Sequence, residues 1–391
     1  MELAELHVFE PEIFEPVVFG VGDVSSIGNS APCIKGHISG TDSSFTFQVN
    51  GSDVTVSVSG GNWKYKPTAT ITSIAFVGVP QLESLELDNI KGVSTFNLDY
   101  PVVPVFKKCD ATTESALNYV YHIRGTATED FDFTLKYIDG SNNVTEVTES
   151  AVIDGDGKWD VAYSGKTIKE MGETFYANTY LKTIEFTELL DNLTSTFANN
   201  HGAFQNSYVT KITFAKGTTL KNCTNIAKTF TCNYLKEIVN IDKMTFENVT
   251  NFYETFSKGI YETLSLDDAT FAKVNNIYVS FGGSLLKTLN LPKATFAALP
   301  SSAQASLINS TALVNLNVPN SGTFAAPLNL KNSPLSYESM LKAAGWLKDL
   351  SGGTAQTITF KADTYNALTA EQQAALTAII VTEKGWNLAT A

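Results

Sequence analysis

The chain has 391 residues, of which 43% are hydrophobic and 17% are charged, and its formal net charge is −13. This length and hydrophobic content exceed the needs of one ordinary domain, so two to four structural units are expected. The acidic balance disfavours binding to nucleic acid or to an anionic membrane surface, because both of these carry negative charge.

Residues 1–30 are predicted to form an extended N-terminal arm. Phe9-Glu10-Pro11 recurs as Phe14-Glu15-Pro16, and prolines at this spacing disfavour helix and weaken sheet pairing within the chain. Two interpretations stay open: a terminal strand packed on its own domain, or a docking peptide that adds to a partner's sheet edge or groove. The arm residues predicted to bind the partner are Phe9, Pro11, Phe14, Pro16 and Phe19.

The extreme N-terminus is acidic and lacks the basic start and apolar stretch of a secretory signal. Either a signal has been removed or the protein does not use that route, and the presence of Met1 favours the second explanation. No apolar run in the chain approaches the roughly 20 residues that a membrane-spanning helix needs. Membrane insertion is therefore not expected.

Residues 31–111 and 112–166 alternate apolar and polar side chains with the period of β-strands. In the first segment, residues 45–49 and 54–58 flank Asn50-Gly51, a dipeptide typical of tight hairpin turns. Each segment is therefore predicted to be a small antiparallel β-sandwich-like module, the first with a linker behind it. The pattern resembles that of bacterial immunoglobulin-like domains.

The two modules also share short sequences, which indicates an internal duplication. Ile34-Lys35-Gly36 recurs as Ile123-Arg124-Gly125, and Gly61-Asn62-Trp63 recurs as Gly157-Lys158-Trp159. The offset stays between about 86 and 99 residues. The single Trp of each module is predicted to anchor its core.

Residues 167–330 show a different period. Short segments of the form Ile/Leu-x-Phe/Leu recur roughly every 25 to 28 residues, within the 20–29 range of leucine-rich repeats. A strand of two or three residues cannot bury its inner face alone. The strands should therefore stack as one parallel sheet with phenylalanines packed behind it. The side chains between the inward positions should then form an outward polar face, which we predict to be a binding surface: Glu185, Thr213, Ser265 and Asn290.

These repeats, over about residues 168–330, resemble the BspA-like leucine-rich-repeat family. The C-terminal stretch, with Asn332-Ser333-Pro334-Leu335 and Leu347-Lys348-Asp349-Leu350, resembles the closing segment often seen in such proteins. Relatives of this kind occur in surface proteins of gut anaerobes and in proteins of their phages. The resemblance implies an adhesive or structural role and supplies no catalytic residue.

Residues 331–391 are predicted to cap the end of the stack. Ser336 can N-cap a helix that runs through Gly345, and Thr369 can N-cap a second helix that runs to about Ala378. The predicted fold class is therefore mainly β: tandem immunoglobulin-like β-sandwich modules, then a leucine-rich-repeat solenoid with a partly helical C-terminal cap.

No catalytic, cofactor-binding or metal site is predicted. The acidic run from Asp154 to Asp160 invites a calcium interpretation, but Lys158 stands at a ligand position and Trp159 stands where the loop needs a Gly, which favours a turn before the core Trp. Cys223 and Cys232 could pair in space, although buried free thiols are the favoured interpretation.

Two functional settings follow for a non-catalytic structural or binding protein. The first is a phage virion component, such as a head or tail fibre or a decoration protein. Its arm would bind other virion proteins or a second copy, and its solenoid would face a host surface protein or polysaccharide. The alternative is a bacterial cell-surface adhesin that binds host protein or glycan. A glycan hydrolase is a third hypothesis, which needs two carboxylates facing each other across a cleft.

Overall fold

The computed structural model describes residues 31–39, 43–76, 82–98, 102–303 and 307–391. The predicted arm, with Phe9, Pro11, Phe14, Pro16 and Phe19, lies outside these residues. Among the helices of the described ranges, none combines the length and the apolar character that crossing a membrane requires.

Eight short strands form the first segment. Strand β1 pairs antiparallel with β4 and β6, whereas β2 pairs antiparallel with β3 and β5. Two parallel pairings, β5 with β7 and β6 with β8, extend these sheets. The eight strands are β1 (Cys33–Ile38), β2 (Ser44–Val49), β3 (Ser52–Ser59), β4 (Asn62–Tyr65), β5 (Ser73–Phe76), β6 (Leu82–Asp88), β7 (Thr95–Leu98) and β8 (Val105–Lys107).

The second segment repeats this pairing. Strand β9 pairs antiparallel with β12 and β14, whereas β10 pairs antiparallel with β11 and β13. Its elements are α1 (Ala111–Ser115), β9 (Leu117–Ala127), β10 (Phe131–Asp139), β11 (Val144–Ala151), β12 (Lys158–Ser164), β13 (Lys166–Glu170) and β14 (Leu181–Phe186).

The register of the two segments is also equivalent. Gly36 lies opposite Trp63 on one neighbouring strand, and Gly125 lies opposite Trp159 in the same way. A Cβ at Gly36 would collide with the backbone oxygen of Ser84, and one at Gly125 would collide with the oxygen of Thr183. Both positions therefore need glycine because the adjacent backbone passes too close. This shared register confirms the internal duplication predicted from the sequence.

The predicted fold class, tandem immunoglobulin-like sandwiches followed by a leucine-rich-repeat solenoid, is nevertheless wrong, because the strands of the two segments and the first short strands after them belong to one large sheet. One curled, mixed sheet of 13 strands runs in the order β18-β17-β14-β9-β7-β5-β2-β3-β4-β1-β6-β8, with β12 paired to β9 beside this path. Strand β9 makes the connection: residues 117–119 pair parallel with β7, and its later residues pair with β12 and β14. The region expected to be a linker, at the end of residues 31–111, instead contains β6, β7 and β8, and the 11-residue strand β9 joins the two segments.

The strands after β14 are two or three residues long. The predicted single parallel sheet is also wrong, because β17 and β18 belong to the curled sheet whereas β19, β21 and β23 form another. These strands are β15 (Phe197–Ala198), β16 (His201–Gly202), β17 (Lys211–Thr213), β18 (Glu237–Val239), β19 (Thr263–Ser265), β20 (Phe281–Gly282), β21 (Thr288–Asn290), β22 (Ile308–Asn309) and β23 (Asn315–Asn317).

Columns of stacked phenylalanine rings fill the core behind the short strands. Phe271 is fully buried and lies between Phe246 and Phe296, with ring centroids 5.7 and 4.9 Å away. A second column contains Phe204, which stacks on Phe175 at 5.3 Å. The predicted phenylalanine layer is therefore present, although the irregular hairpin β15–β16 leaves Phe197 only half buried.

The C-terminal segment continues the same core. Ser336 caps α2 and Thr369 caps α4, as predicted, and Trp346 of α2 donates a hydrogen bond to the Ala294 oxygen at 2.8 Å. The elements are β24 (Leu328–Leu330), α2 (Tyr337–Trp346), β25 (Thr357–Phe360), α3 (Ala362–Asn366), α4 (Ala370–Thr377), a π-helical turn (Ala378–Glu383) and β26 (Asn387–Thr390), with β24, β25 and β26 forming a parallel sheet.

Candidate functional site

A cleft of about 640 Å³ lies between the first segment and the short parallel strands. Strand β6 and residues 102–105 form one wall, and β14, β17 and β18 form the other. The volume falls in the range of roughly 300 to 1,000 Å³ that is usual for ligand sites. Glu185 and Thr213, two residues of the predicted binding face, line it.

Exposed valines border the cleft on the side of the first segment. Val103 is 80% exposed and Val105 is 51% exposed, although both line a concave surface. Leu82 and Leu85, on the adjacent strand, are buried. Uncovered apolar side chains beside a polar strand face are typical of a surface that contacts another molecule.

The two end strands of the curled sheet both contribute to this cleft. Among the described residues, β8 ends the sheet on one side and lines the cleft through Val105, and β18 ends it on the other and lines it through Val239. In β8, the Lys107 carbonyl oxygen accepts a hydrogen bond from the Asn89 N–H, so the backbone N–H and C=O of Lys107 face the neighbouring strand β6. By strand alternation, the N–H and C=O of Phe106 point away from β6, to the side where no described strand pairs with β8.

An ion pair spans the two walls. Lys216 donates to the Glu83 carboxylate at 2.6 Å, and His37 Nδ1 lies 3.0 Å from the same carboxylate. Hydrogen bonding to Lys216 is the main cause that holds the pKa of Glu83 below its usual value. The carboxylate is therefore ionised near neutral pH, and its charge favours the Lys216 contact.

Charged and polar groups continue from the cleft across β14, β9 and β12. Arg124 donates two hydrogen bonds to the Glu185 carboxylate, at 3.0 and 3.2 Å. Next to this pair, Asp160 lies 2.7 Å from His122 Nδ1, while the buried Nε2 of His122 has no hydrogen-bond partner among the described residues. Glu185 is thus held in place by Arg124 and presents a fixed carboxylate to the cleft.

The other two residues of the predicted face lie elsewhere. Ser265 and Asn290 are adjacent in the β19-β21-β23 sheet, and the Asn290 side chain donates to Ser265 Oγ at 2.8 Å. The predicted face is therefore split into two parts, and only Glu185 and Thr213 belong to the cleft.

One extra residue at the end of β18 lies where the predicted face divides. The apolar positions of β17 are two residues apart (Ile212 and Phe214), whereas Ile238 and Ile241 are three apart, with Asn240 at a φ of 64°. Beyond this bulge, β18 and β19 do not pair with each other, and a second cleft of about 230 Å³ lies between them.

A third surface consists of aromatic side chains at the strand starts. Tyr180, Tyr208 and Tyr234 are 38%, 40% and 45% exposed, and the last two rings lie 4.7 Å apart. Their planes are tilted by 52°, so they form no flat platform for a sugar ring. This contact is packing between neighbouring tyrosines.

The sequence did not indicate the residues that close the cleft. Glu83 and Lys216 carry no motif and are far apart along the chain. Val103 and Val105 belong to Val102-Val103-Pro104-Val105, an apolar run interrupted by a proline, and this was the available signal. Prolines disfavour sheet interiors, so such a run is typical of an edge.

The acidic run and the cysteines have structural roles. The Asp154 side chain accepts hydrogen bonds from the backbone N–H groups of Asp156 and Lys158, both at 2.9 Å, which confirms the predicted turn. Cys223 and Cys232 are free and buried, and burial raises the pKa of each thiol to about 12. Within the described ranges, no group of three or more His, Cys, Asp or Glu side chains is placed to hold a metal ion.

Comparison of the chain with protein-family models, with curated proteins and with solved structures returned no match.

Proposed function

We propose that this protein is a non-catalytic binding protein whose cleft holds an extended segment of a protein partner. The observation that carries the proposal is the edge of β8 beside the cleft, where no second strand of the described residues pairs with it, next to the exposed side chains of Val103 and Val105. An extended peptide can pair its backbone with such an edge and insert alternate side chains into the adjacent cleft.

The opposite wall suits the polar side of the same ligand. Thr213 and the Arg124-bound Glu185 offer hydrogen-bonding groups in fixed positions. A peptide that alternates apolar and polar side chains would match both walls, because successive residues of a strand point in opposite directions. The chemistry of the cleft therefore favours a protein segment as its ligand.

Photo-crosslinking of selected peptides tests this proposal. The full-length chain is used to select binders from a displayed library of random 12-residue peptides. A photoreactive amino acid then replaces Val103, or Val152 as the control, since Val152 is also exposed, at 66%, and does not line the cleft. We expect the selected peptides to crosslink at position 103 and not at position 152. Equal crosslinking at both positions would contradict the proposal.

The two settings predicted from the sequence, a phage virion component and a bacterial surface adhesin, remain proposals for where such binding takes place. A virion component should co-purify with particles, whereas an adhesin should fractionate with the cell envelope.

A further inference from the structure

We infer that a third cleft, at the end of the second segment where β9 begins, binds one ring of a neutral sugar. The cleft has a volume of about 360 Å³ and shares no described lining residue with the cleft proposed to hold a peptide. One wall is the start of β9, and the other consists of the turns that follow β10 and β12. A sugar bound there would give the protein a second binding site.

The position of the cleft follows from the length of β9. Ile123 is a fully buried residue of this strand, whereas Tyr121 and Tyr119 are half buried. The three side chains point to the same side of the sheet, because successive residues of a strand alternate. The first residues of β9 pair with β7 of the first segment, and the opposing strand β10 ends at Asp139. The two tyrosines therefore border the core on one side and the cleft on the other.

The aromatic wall suits the flat side of a sugar ring. The ring planes of Tyr119 and Tyr121 differ by only 2°, and their centroids are 5.9 Å apart. Tyr163, which is buried, packs against Tyr121 at 5.7 Å. A sugar ring presents C–H groups of slight positive charge on its flat side, and the negative face of an aromatic ring attracts them. The tilted pair of Tyr208 and Tyr234 lacks this parallel arrangement.

The rim of the cleft supplies the hydrogen-bonding groups that sugar hydroxyls need. The Tyr121 hydroxyl makes no hydrogen bond to any described residue. Burial raises the pKa of Tyr121 to about 12, so its hydroxyl remains a neutral donor. The Asn192 amide donates to Thr167 Oγ1 at 2.9 Å, which fixes its orientation. Hydroxyl and amide groups both donate and accept hydrogen bonds, so they match the hydroxyls of a sugar.

The charge of the cleft favours a neutral ligand. Among the described residues that line it, the charged ones are Asp139 and Lys166, which lie opposite each other on β10 and β13. The Lys166 ammonium lies 3.8 Å from the centroid of the Tyr137 ring and 3.5 Å from the Glu149 carboxylate. One carboxylate and one ammonium in the lining cancel, so neither an anion nor a cation is attracted.

The duplicated fold does not require an aromatic ring in this wall. Ile34 of the first segment occupies the place of Ile123, so Pro32 stands where the second segment has Tyr121. The two segments nevertheless share the same strand pairing and register. The aromatic wall is therefore specific to the second segment, and folding alone does not account for it.

Titration of the full-length chain with four neutral trisaccharides tests the inference: cellotriose, maltotriose, mannotriose and triacetylchitotriose. We expect at least one of them to bind, with magnetisation transfer in NMR strongest to the C–H protons on one side of a ring. For that sugar, Tyr121→Ala should raise the Kd at least about tenfold. Tyr234→Ala is the control and should leave the Kd unchanged, since Tyr234 is exposed and does not line the cleft.

A second pair of variants decides the question if Tyr121→Ala fails to fold. Asn192 and Asn222 are both exposed and occupy the same place in the sequences Asn-x-Thr at 192–194 and 222–224, and of the two Asn192 lines the cleft. We expect Asn192→Ala to raise the Kd severalfold and Asn222→Ala to leave it unchanged.

Three results would overturn the inference. One is the absence of binding by all four trisaccharides at about 10 mM. Another is an equal Kd for Tyr121→Ala and Tyr234→Ala, or for the two asparagine variants where Tyr121→Ala does not fold. The third is binding of a proline-rich peptide that depends on Tyr121 while no sugar binds, since tyrosine-lined grooves also accept such peptides.

Discussion

Lys216 donates to Glu83 at 2.6 Å across a sequence separation of 133 residues, and this contact joins the two walls of the cleft. Lys216→Glu should open the cleft, because two carboxylates would then face each other. We expect exchange in residues 82–85 to become severalfold faster, and the double variant Glu83→Lys/Lys216→Glu to reverse the change. Lys293→Glu is the control, since Lys293 contacts Asp268 at the same distance away from the cleft. If the control has the same effect, the Glu83 contact does not close the cleft.

The phenylalanine columns should dominate the stability of the short-strand region. Phe271→Ala should lower the free energy of unfolding by about 3 to 5 kcal/mol, because it empties a fully buried position between two stacked rings. Phe197→Ala, in the half-buried hairpin position, should cost much less. Chemical denaturation of both variants measures the difference, and equal losses would contradict the role assigned to the columns.

Stability should depend on pH through Glu188. This carboxyl is 3% exposed and accepts hydrogen bonds from the Tyr163 hydroxyl at 2.7 Å and the Ile168 N–H at 3.0 Å. Burial raises its pKa from 4.5 to about 7. The protonated form is therefore favoured in the folded state, and its contribution is complete below about pH 4.5 and lost as the pH rises through 7.

Glu188→Gln removes this titration and keeps an acceptor oxygen. At pH 8 the variant should be more stable than the wild type by up to roughly 3 kcal/mol, and the advantage should disappear near pH 4.5. Urea denaturation at several pH values measures it. An advantage that does not change with pH would show that Glu188 does not titrate in this range.

The bulge at Asn240 should account for the gap between β18 and β19. Deleting Asn240 gives this strand the two-residue apolar spacing of Ile212 and Phe214. Ile238 should then become buried, as Ile212 already is, and its amide should exchange at least tenfold more slowly. An unchanged exchange rate in a folded deletion variant would assign the gap to another cause.

Local features of this fold could be predicted from the sequence. The caps at Ser336 and Thr369 depend on side chains that bond to backbone groups three residues away, so a short window contains the whole signal. The equivalence of Trp63 and Trp159 could also be predicted, because a similar short sequence surrounds each Trp. In the structure, each Trp pairs with a glycine in the same register.

Strand partners could not be predicted in the same way. An alternating pattern shows which side chains are buried but not which strand lies beside them. Strand β9 therefore looked like the start of a separate module, although its first residues pair with β7. The cleft depends on such distant pairings, so Glu185 and Thr213 could be predicted as surface residues but Val103 could not be placed opposite them.

The affinity of a selected peptide for Val103→Asp, compared with Val152→Asp, tests the central claim most directly. Both valines are exposed, at 80% and 66%, so neither substitution should disturb folding. We predict that Val103→Asp raises the Kd at least about tenfold, which corresponds to roughly 1.4 kcal/mol, while Val152→Asp leaves it unchanged. Equal Kd values for the two variants would place the binding site outside this cleft.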